Sequence, residues 1–137
     1  MNLLLGCDGY VAKWVAHRIP YVRNGWNDYT TIGVTDDDHN LICGVVYHDM
    51  DEGINIQMSI ASDTPKWATR QTLKWFFQYP FQQLNLQRVT ALTSSSNLNT
   101  QKMLERLGYK REGVIRKAYG DDDAFIYGLL REEVKWL

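Results

Sequence analysis

The chain has 137 residues, with 15 lysines and arginines against 16 aspartates and glutamates, and a net charge of −1 at pH 7. This length is typical of one domain with one hydrophobic core, so we expect a single domain over residues 1–137. The balanced charge argues against a nucleic-acid partner. No apolar run reaches the ~20 residues of a membrane helix. We therefore expect a cytoplasmic protein without a membrane partner.

The first predicted elements are a short strand and a helix. Residues 1–5 are apolar enough for a strand, and Asp8 can cap a helix that runs to about Arg18. Pro20 cannot continue that helix. The following stretch, 21–28, is rich in Asn and Gly and is predicted to be an irregular connection.

Three antiparallel strands are predicted next. The runs 29–35 and 41–48 are rich in β-branched residues and flank the polar turn 36–40, which indicates a hairpin. From Ile54 to Ile60, every second residue is a large apolar one, and these alternate with Asn55, Gln57, Ser59 and Ala61. A period of two predicts a strand with one buried and one polar face.

A helix is predicted from Pro65 to Gln78, because proline suits the first helical position. Its predicted inward stripe consists of bulky or small residues at helical spacing: Ala68, Thr72, Trp75, Phe76 and Tyr79. Pro80 should break or kink this helix.

The most informative segment follows as a strand, a helix and another strand. The run 88–94 suits a strand, and Asn97 is the predicted N-cap of the next helix. The apolar stripe of that helix is Thr100, Met103, Leu104 and Leu107, and its polar face is Gln101, Lys102, Glu105 and Arg106. Gly108 should end the helix, since glycine adopts positive φ without steric cost.

The remaining residues, 110–130, are predicted to be a hairpin with a turn at 120–123. The predicted order of elements is thus β, α, β, β, β, α, β, α, β, β. We expect an α+β fold in which a mixed, mainly antiparallel twisted sheet carries helices on both faces.

Eight residues of the C-terminal half carry a family resemblance. They are Asn97, Thr100, Leu107, Gly108, Tyr109, Glu112, Gly113 and Arg116. Their spacing resembles the N-x-x-S-x-x-x-x-x-x-L-G-F-x-x-E-G-x-x-R signature of the GCN5-related N-acetyltransferases (GNAT), in the branch of the ribosomal-protein N-terminal acetyltransferases. Further similar motifs lie at 67–69, 79–81, 84–89 and 126–133.

The resemblance implies the GNAT fold and an acetyl-CoA dependent enzyme that moves an acetyl group to a primary amine by direct attack. It implies that the coenzyme arm pairs with the splayed end of the fourth strand, that a helix start binds the pyrophosphate, and that the next helix start contacts the arm from the other side. The coenzyme-binding residues implied in this way are Ile60, Ala61, Lys66, Trp67, Ala68, Thr69, Asn97 and Thr100.

The sequence departs from the family pattern in two places. Thr64 and Lys66 stand where the pyrophosphate loop usually has glycines, and Leu104 stands where many members have a tyrosine that protonates the leaving thiolate. An alternative is therefore a catalytically degenerate GNAT-fold protein that binds a partner or ligand in the same cleft. Lys66 is either a charge for a phosphate or a solvated lysine.

No catalytic residue can be assigned from the sequence. A general base should be a carboxylate, or a water that it orders, near the ends of the central strands. Glu52, Asp63 and Glu112 are better explained as turn or surface acids. The acceptor, a small-molecule or peptide amine, is left open, and the sequence allows a homodimer.

Metal binding is not expected. The isolated cysteines and the three histidines, which are expected at the surface or in a cleft, lack metal-ligand spacing.

Overall fold

The computed structural model describes residues 1–22 and 24–135. Within these residues, seven strands form one sheet: β1 (Asn2–Leu4), β2 (Tyr29–Thr35), β3 (Leu41–Asp51), β4 (Asn55–Ser62), β5 (Arg88–Ser94), β6 (Lys110–Tyr119) and β7 (Asp122–Leu130). The strand order is β1-β2-β3-β4-β5-β7-β6. Every neighbouring pair is antiparallel except β4 and β5, which are parallel.

Among the described residues, three α-helices cover both faces of the sheet. They are α1 (Asp8–Arg18), α2 (Arg70–Gln78) and α3 (Leu98–Leu107). On one face, α1 buries a small cluster with the sheet: Val11, Ala12, Val15, Leu41 and Val46. On the other face, α2 and α3 contribute to the main core, whose largest members are Trp67, Tyr47, Tyr127, Phe76, Phe77 and Phe81. The predicted α+β class, with helices on both faces, is confirmed.

Asp8 does not cap α1 as predicted, since it is the first helical residue and the N-cap position is Cys7. Its carboxylate instead accepts hydrogen bonds from the backbone amide of Thr31, at 3.0 Å, and from the hydroxyl of the same residue, at 2.8 Å. These bonds fix the start of α1 against β2.

The predicted start of the second helix is wrong. Pro65–Trp67 forms a separate 3₁₀ turn, and α2 begins only at Arg70, after the N-cap Thr69. Because this restart changes the phase of the helix, its buried residues are Thr72, Leu73, Phe76 and Phe77, whereas Trp75 and Tyr79 are half-buried. The change expected at Pro80 is present, since α2 ends at Gln78 and Pro80 lies in a wider π-helical turn, Tyr79–Gln83.

The strand–helix–strand prediction around α3 is confirmed at both helix ends. The Asn97 side chain accepts from the amide of Thr100 at 3.1 Å, and Gly108 ends the helix with φ of 104°. Gln101 differs from the prediction because it is buried instead of facing water. Its amide nitrogen donates to the carbonyl oxygens of Ser94 and Ser95, both at 3.1 Å, so it provides partners for the end of β5.

Residues 1–22 and 24–135 contain neither a helix that could span a membrane nor a cluster of metal-ligating side chains. None of the helices in these ranges has the length and apolarity needed to cross a bilayer. Among the same residues, no group of three or more histidine, cysteine or acidic side chains could hold a metal ion.

Candidate active site

The central feature of the sheet is a gap between its two parallel strands. β4 and β5 pair at only three positions, the last of which is Gln57 opposite Thr90. Beyond it, β4 continues to Ser62 along β3, and β5 continues to Ser94 along β7. We call the gap between residues 58–62 and 91–94 the fork. Backbone groups on its two inner edges lie where a strand-like ligand can pair with them.

A polar network holds the closed end of the fork. The guanidinium of Arg88 donates to Glu112 at 2.6 Å and to the side chain of Asn55 at 3.3 Å. The hydroxyl of Thr90 donates to the same Asn55 oxygen at 2.7 Å. Side chains of β4, β5 and β6 are thereby joined at the level where the two parallel strands still pair.

Both helix starts that follow the fork strands lie at its open end. The turn at Pro65–Trp67 comes three residues after the end of β4, and Asn97 comes three residues after the end of β5. Ile60 and Ala61 lie on the free portion of β4 between them. The coenzyme-binding residues implied by the resemblance are thus distributed over the two sides of one opening.

Several amides of the predicted phosphate loop already have acceptors. The amide of Lys66 donates to the Thr64 hydroxyl at 3.2 Å, and that of Ala68 to the Pro65 carbonyl at 3.3 Å. Thr69 and Thr72 form a reciprocal capping box. The first two amides of α2, those of Arg70 and Gln71, have no acceptor among the described residues, and both side chains are exposed. They extend the candidate phosphate site beyond the predicted residues.

Trp67 can contribute to this site only through its backbone. Its side chain is 2% exposed and stacks on Phe76, with ring centroids 5.4 Å apart. Its carbonyl accepts from the Thr72 hydroxyl and from the amide of Thr69. The indole therefore anchors the turn that precedes α2 in the main core.

The end of β4 is attached to α1 by an ion pair. Arg18 donates to both carboxylate oxygens of Asp63, at 2.7 and 3.0 Å, and its guanidinium lies 3.5 Å from the centroid of the Trp14 ring. The hydrogen bond from Arg18 lowers the pKa of Asp63. The pair offsets a negative charge that would otherwise lie beside the candidate phosphate site.

The connection between α1 and β2 crosses the α1 face of the sheet. Tyr21 stacks on Tyr119 at 4.1 Å and donates from its hydroxyl to Asp122 at 3.0 Å. Asp122 also accepts from the hydroxyls of Ser94 and Ser96, and these bonds lower its pKa. This predicted irregular segment is described except at Arg23, which lies outside the described residues. Through Tyr21, the connection thus joins α1 to β6 and β7.

Trp26 lies on the same connection, between a cavity and a buried histidine. The cavity, of about 320 Å³, lies between α1 and the segment 24–29. On the sheet side, the Trp26 ring is 5.5 Å from the ring of His48. A larger hollow of about 660 Å³ lies against β6, which β7 separates from the fork.

His48 was missed as a site residue by the sequence reasoning, which expected surface or cleft histidines. It is 7% exposed, its Nδ1 lies 2.5 Å from a carboxylate oxygen of Asp49, and its Nε2 lies 2.8 Å from Oγ of Ser59. Burial lowers the pKa of His48, although the bond to Asp49 opposes that change. The β3–β4 register, which places His48 opposite Gln57, brings its ring next to Ser59 of β4.

Comparison with known proteins agrees with this geometry. The family model described as an acetyltransferase (GNAT) domain matches residues 7–110. Among curated proteins, none matches the sequence.

Solved structures share the fold at low sequence identity. A mutant form of the spermidine/spermine N-acetyltransferase SpeG from Vibrio cholerae is 15% identical, with a TM-score of 0.77 over 96% of this chain and 95% of that one. The ribosomal-protein-S5-alanine acetyltransferase from Vibrio fischeri is 21% identical, with a TM-score of 0.67 over 78% of this chain and 64% of that one. The family match covers most of the chain, and the protein therefore belongs to the GNAT acetyltransferase family as an N-acetyltransferase.

Proposed function

We propose that this protein transfers an acetyl group from acetyl-CoA to a primary amine, by direct attack of the amine on the thioester. The observation that carries the proposal is the fork, because the parted strands leave a free backbone edge on residues 58–62 of β4. The arm of coenzyme A is rich in amides and can pair with such an edge as an added strand. Alignment of two reactants in one opening lowers the barrier by several kcal/mol without a covalent enzyme intermediate.

The residues at the open end suit the charged part of this donor. Helix N-termini favour phosphate because their amides point outward, and Arg70 and Gln71 provide two such amides. Lys66 and the Arg70 side chain supply exposed positive charge. Asn97 and Thr100 would contact the arm from the α3 side.

The residues that replace the loop glycines do not strain the backbone. Glycine is required where the backbone takes a positive φ, and neither Thr64, with φ of −152°, nor Lys66 has one. The 3₁₀ turn at Pro65–Trp67 takes the place of the glycine-containing loop. In this arrangement the phosphate would bind mainly to the amides of the first residues of α2.

The acceptor is proposed to be a small-molecule or peptide amine that enters from the α1 face. Aromatic rings and a carboxylate suit an ammonium group before it loses its proton, and Tyr21, Tyr119 and Asp122 form such a wall. The SpeG neighbour is a spermidine/spermine N-acetyltransferase, so polyamines belong in the acceptor panel.

Calorimetry with coenzyme A, followed by a thiol-release assay with acetyl-CoA, tests the proposal. The amine panel should contain spermidine, a peptide with a free N-terminus and a lysine side chain. We expect heat of binding and thiol release that depends on the amine. An absence of heat at high coenzyme concentration would overturn the donor assignment. Binding without product from any amine would favour the degenerate binding protein.

Asn97→Ala is expected to lower the free energy of unfolding by about 1 kcal/mol, because α3 loses its cap, and also to weaken coenzyme A binding. Asn97→Ser is the matched variant, since serine keeps a capping oxygen but lacks the side-chain amide. Calorimetry and thermal melting of both variants separate the roles. If Asn97→Ser retains both the melting temperature and the coenzyme affinity, Asn97 is only a helix cap.

A further inference from the structure

Three side chains on the α1 face of the sheet form one continuous chain of hydrogen bonds. Asp49 and His48 lie on β3, and Ser59 lies on β4. The Asp49 carboxylate is 2.5 Å from Nδ1 of His48, whose Nε2 is 2.8 Å from Oγ of Ser59. The order is therefore carboxylate, imidazole, hydroxyl.

The direction of each hydrogen bond follows from the chemistry of the groups. An ionised carboxylate only accepts, so Nδ1 of His48 must carry the hydrogen that is donated to Asp49. The neutral ring then has a lone pair on Nε2, and the Ser59 hydroxyl donates to it. In this tautomer His48 is ready to take a proton from Ser59.

The position of Ser59 relates this chain to the fork. Pairing between β4 and β5 ends at Gln57, and side chains alternate along a strand, so Ser59 is the first residue beyond the pairing on the face of Gln57. Ala61, two residues further along that face, packs against the α1 cluster. Ser59 is half-buried, whereas His48 is almost fully buried behind it. A molecule at the fork can thus reach the hydroxyl but not the imidazole.

Building on the proposed function, we propose that Ser59, His48 and Asp49 form a proton relay that deprotonates the acceptor amine. The amine nitrogen bonds to the acetyl carbon while the carbon–sulfur bond breaks and its electron pair leaves with sulfur. The nitrogen gives one proton to Oγ of Ser59, and the hydroxyl proton of Ser59 passes to Nε2 of His48. The resulting imidazolium is paired with Asp49, and release of its proton to solvent restores the neutral ring.

The relay predicts a defined pH dependence. The titratable groups around His48 are Asp49 on its own strand, Tyr29 opposite it on β2 and, at the cavity beyond Trp26, Lys13 of α1. Below the pKa of His48, which lies under its usual value of about 6.5, the relay is protonated and inactive. Below that pKa, both His48 and the amine must lose a proton, so log kcat/KM should rise with pH at a slope of about two. Above it only the amine must lose a proton, and the slope should fall to about one.

Kinetics of Ser59→Ala and His48→Gln test the relay. Both variants are expected to lose about 10²-fold in kcat/KM near neutral pH and to show a slope of about one throughout, with coenzyme A affinity unchanged. Ser59→Thr keeps the hydroxyl and should retain most activity. Thr30→Ala, which removes an exposed hydroxyl on β2 outside the fork, is the matched control. An unaltered rate or an unaltered pH profile in Ser59→Ala would overturn the relay alone.

A second measurement needs no activity. Nitrogen NMR of the free protein should show His48 with its hydrogen on Nδ1 and a titration midpoint below that of a free imidazole, and Ser59→Ala should shift the His48 Nε2 signal. Hydrogen on Nε2 instead would overturn the relay. An acetyl adduct on the protein, formed with acetyl-CoA in the absence of amine and lost in Ser59→Ala, would also overturn it. Failure of every amine in the wild-type protein would remove the proposed function and the relay together.

Discussion

Trp67→Ala is expected to lower the free energy of unfolding by about 3–5 kcal/mol, the usual loss when a buried aromatic side chain is truncated. Trp67 is 2% exposed and stacks on Phe76, so its removal leaves a large cavity in the main core. The indole also holds the turn before α2 against the core, and with it the backbone carbonyl of residue 67 that accepts from Thr72 and Thr69. Coenzyme A affinity should therefore fall as well, because the amides of Arg70 and Gln71 lose their fixed direction.

Chemical denaturation followed by circular dichroism measures the change in the free energy of unfolding. Calorimetry well below the melting temperature measures the change in coenzyme A affinity. Trp75→Ala is the matched control, since Trp75 is on α2 but only half-buried. It should lower the free energy of unfolding by clearly less than Trp67→Ala. Trp67→Phe keeps a ring against Phe76 and should restore part of the stability. A Trp67→Ala protein with wild-type stability would show that the indole does not anchor this turn.

The parts of the fold that were predicted correctly have local signals. The side chain of Asn97 caps the start of α3, and the positive φ of Gly108 ends it, so each end is marked by a single residue. The alternating run from Ile54 to Ala61 was placed correctly because a period of two is visible within a few residues. These signals do not depend on what the chain contacts elsewhere.

The errors concern residues whose environment is set by distant segments. Gln101 has a polar side chain on a surface helix, yet it is buried because the end of β5 needs donors for two carbonyls. Pro65 suits the first position of a 3₁₀ turn as well as that of an α-helix, so it could not distinguish them. The contact between His48 and Ser59 depends on the register of β3 and β4. That register shifts between His48 and Asp51, and the sequence of the turn does not reveal the shift.

Gly44→Ala is expected to destabilise the protein by about 1–3 kcal/mol through overpacking. A Cβ atom at position 44 would lie 2.7 Å from Cγ2 of Val15 and 3.0 Å from Cγ1 of Val11. Both valines are fully buried in the contact between α1 and β3, so neither can swing into solvent. Relief of the clash is expected to displace α1 slightly from the sheet.

That displacement should have a functional consequence on one face only. α1 lies on the face of the sheet from which we propose that the acceptor enters, whereas the candidate donor residues begin α2 and α3 on the opposite face. Gly44→Ala should therefore raise KM for the amine with little change in coenzyme A affinity. Gly113→Ala is the matched control, since its Cβ would meet only Ile126, at an ordinary 3.6 Å. Equal effects of Gly44→Ala on both substrates would contradict this separation, because the two sites would then share one support.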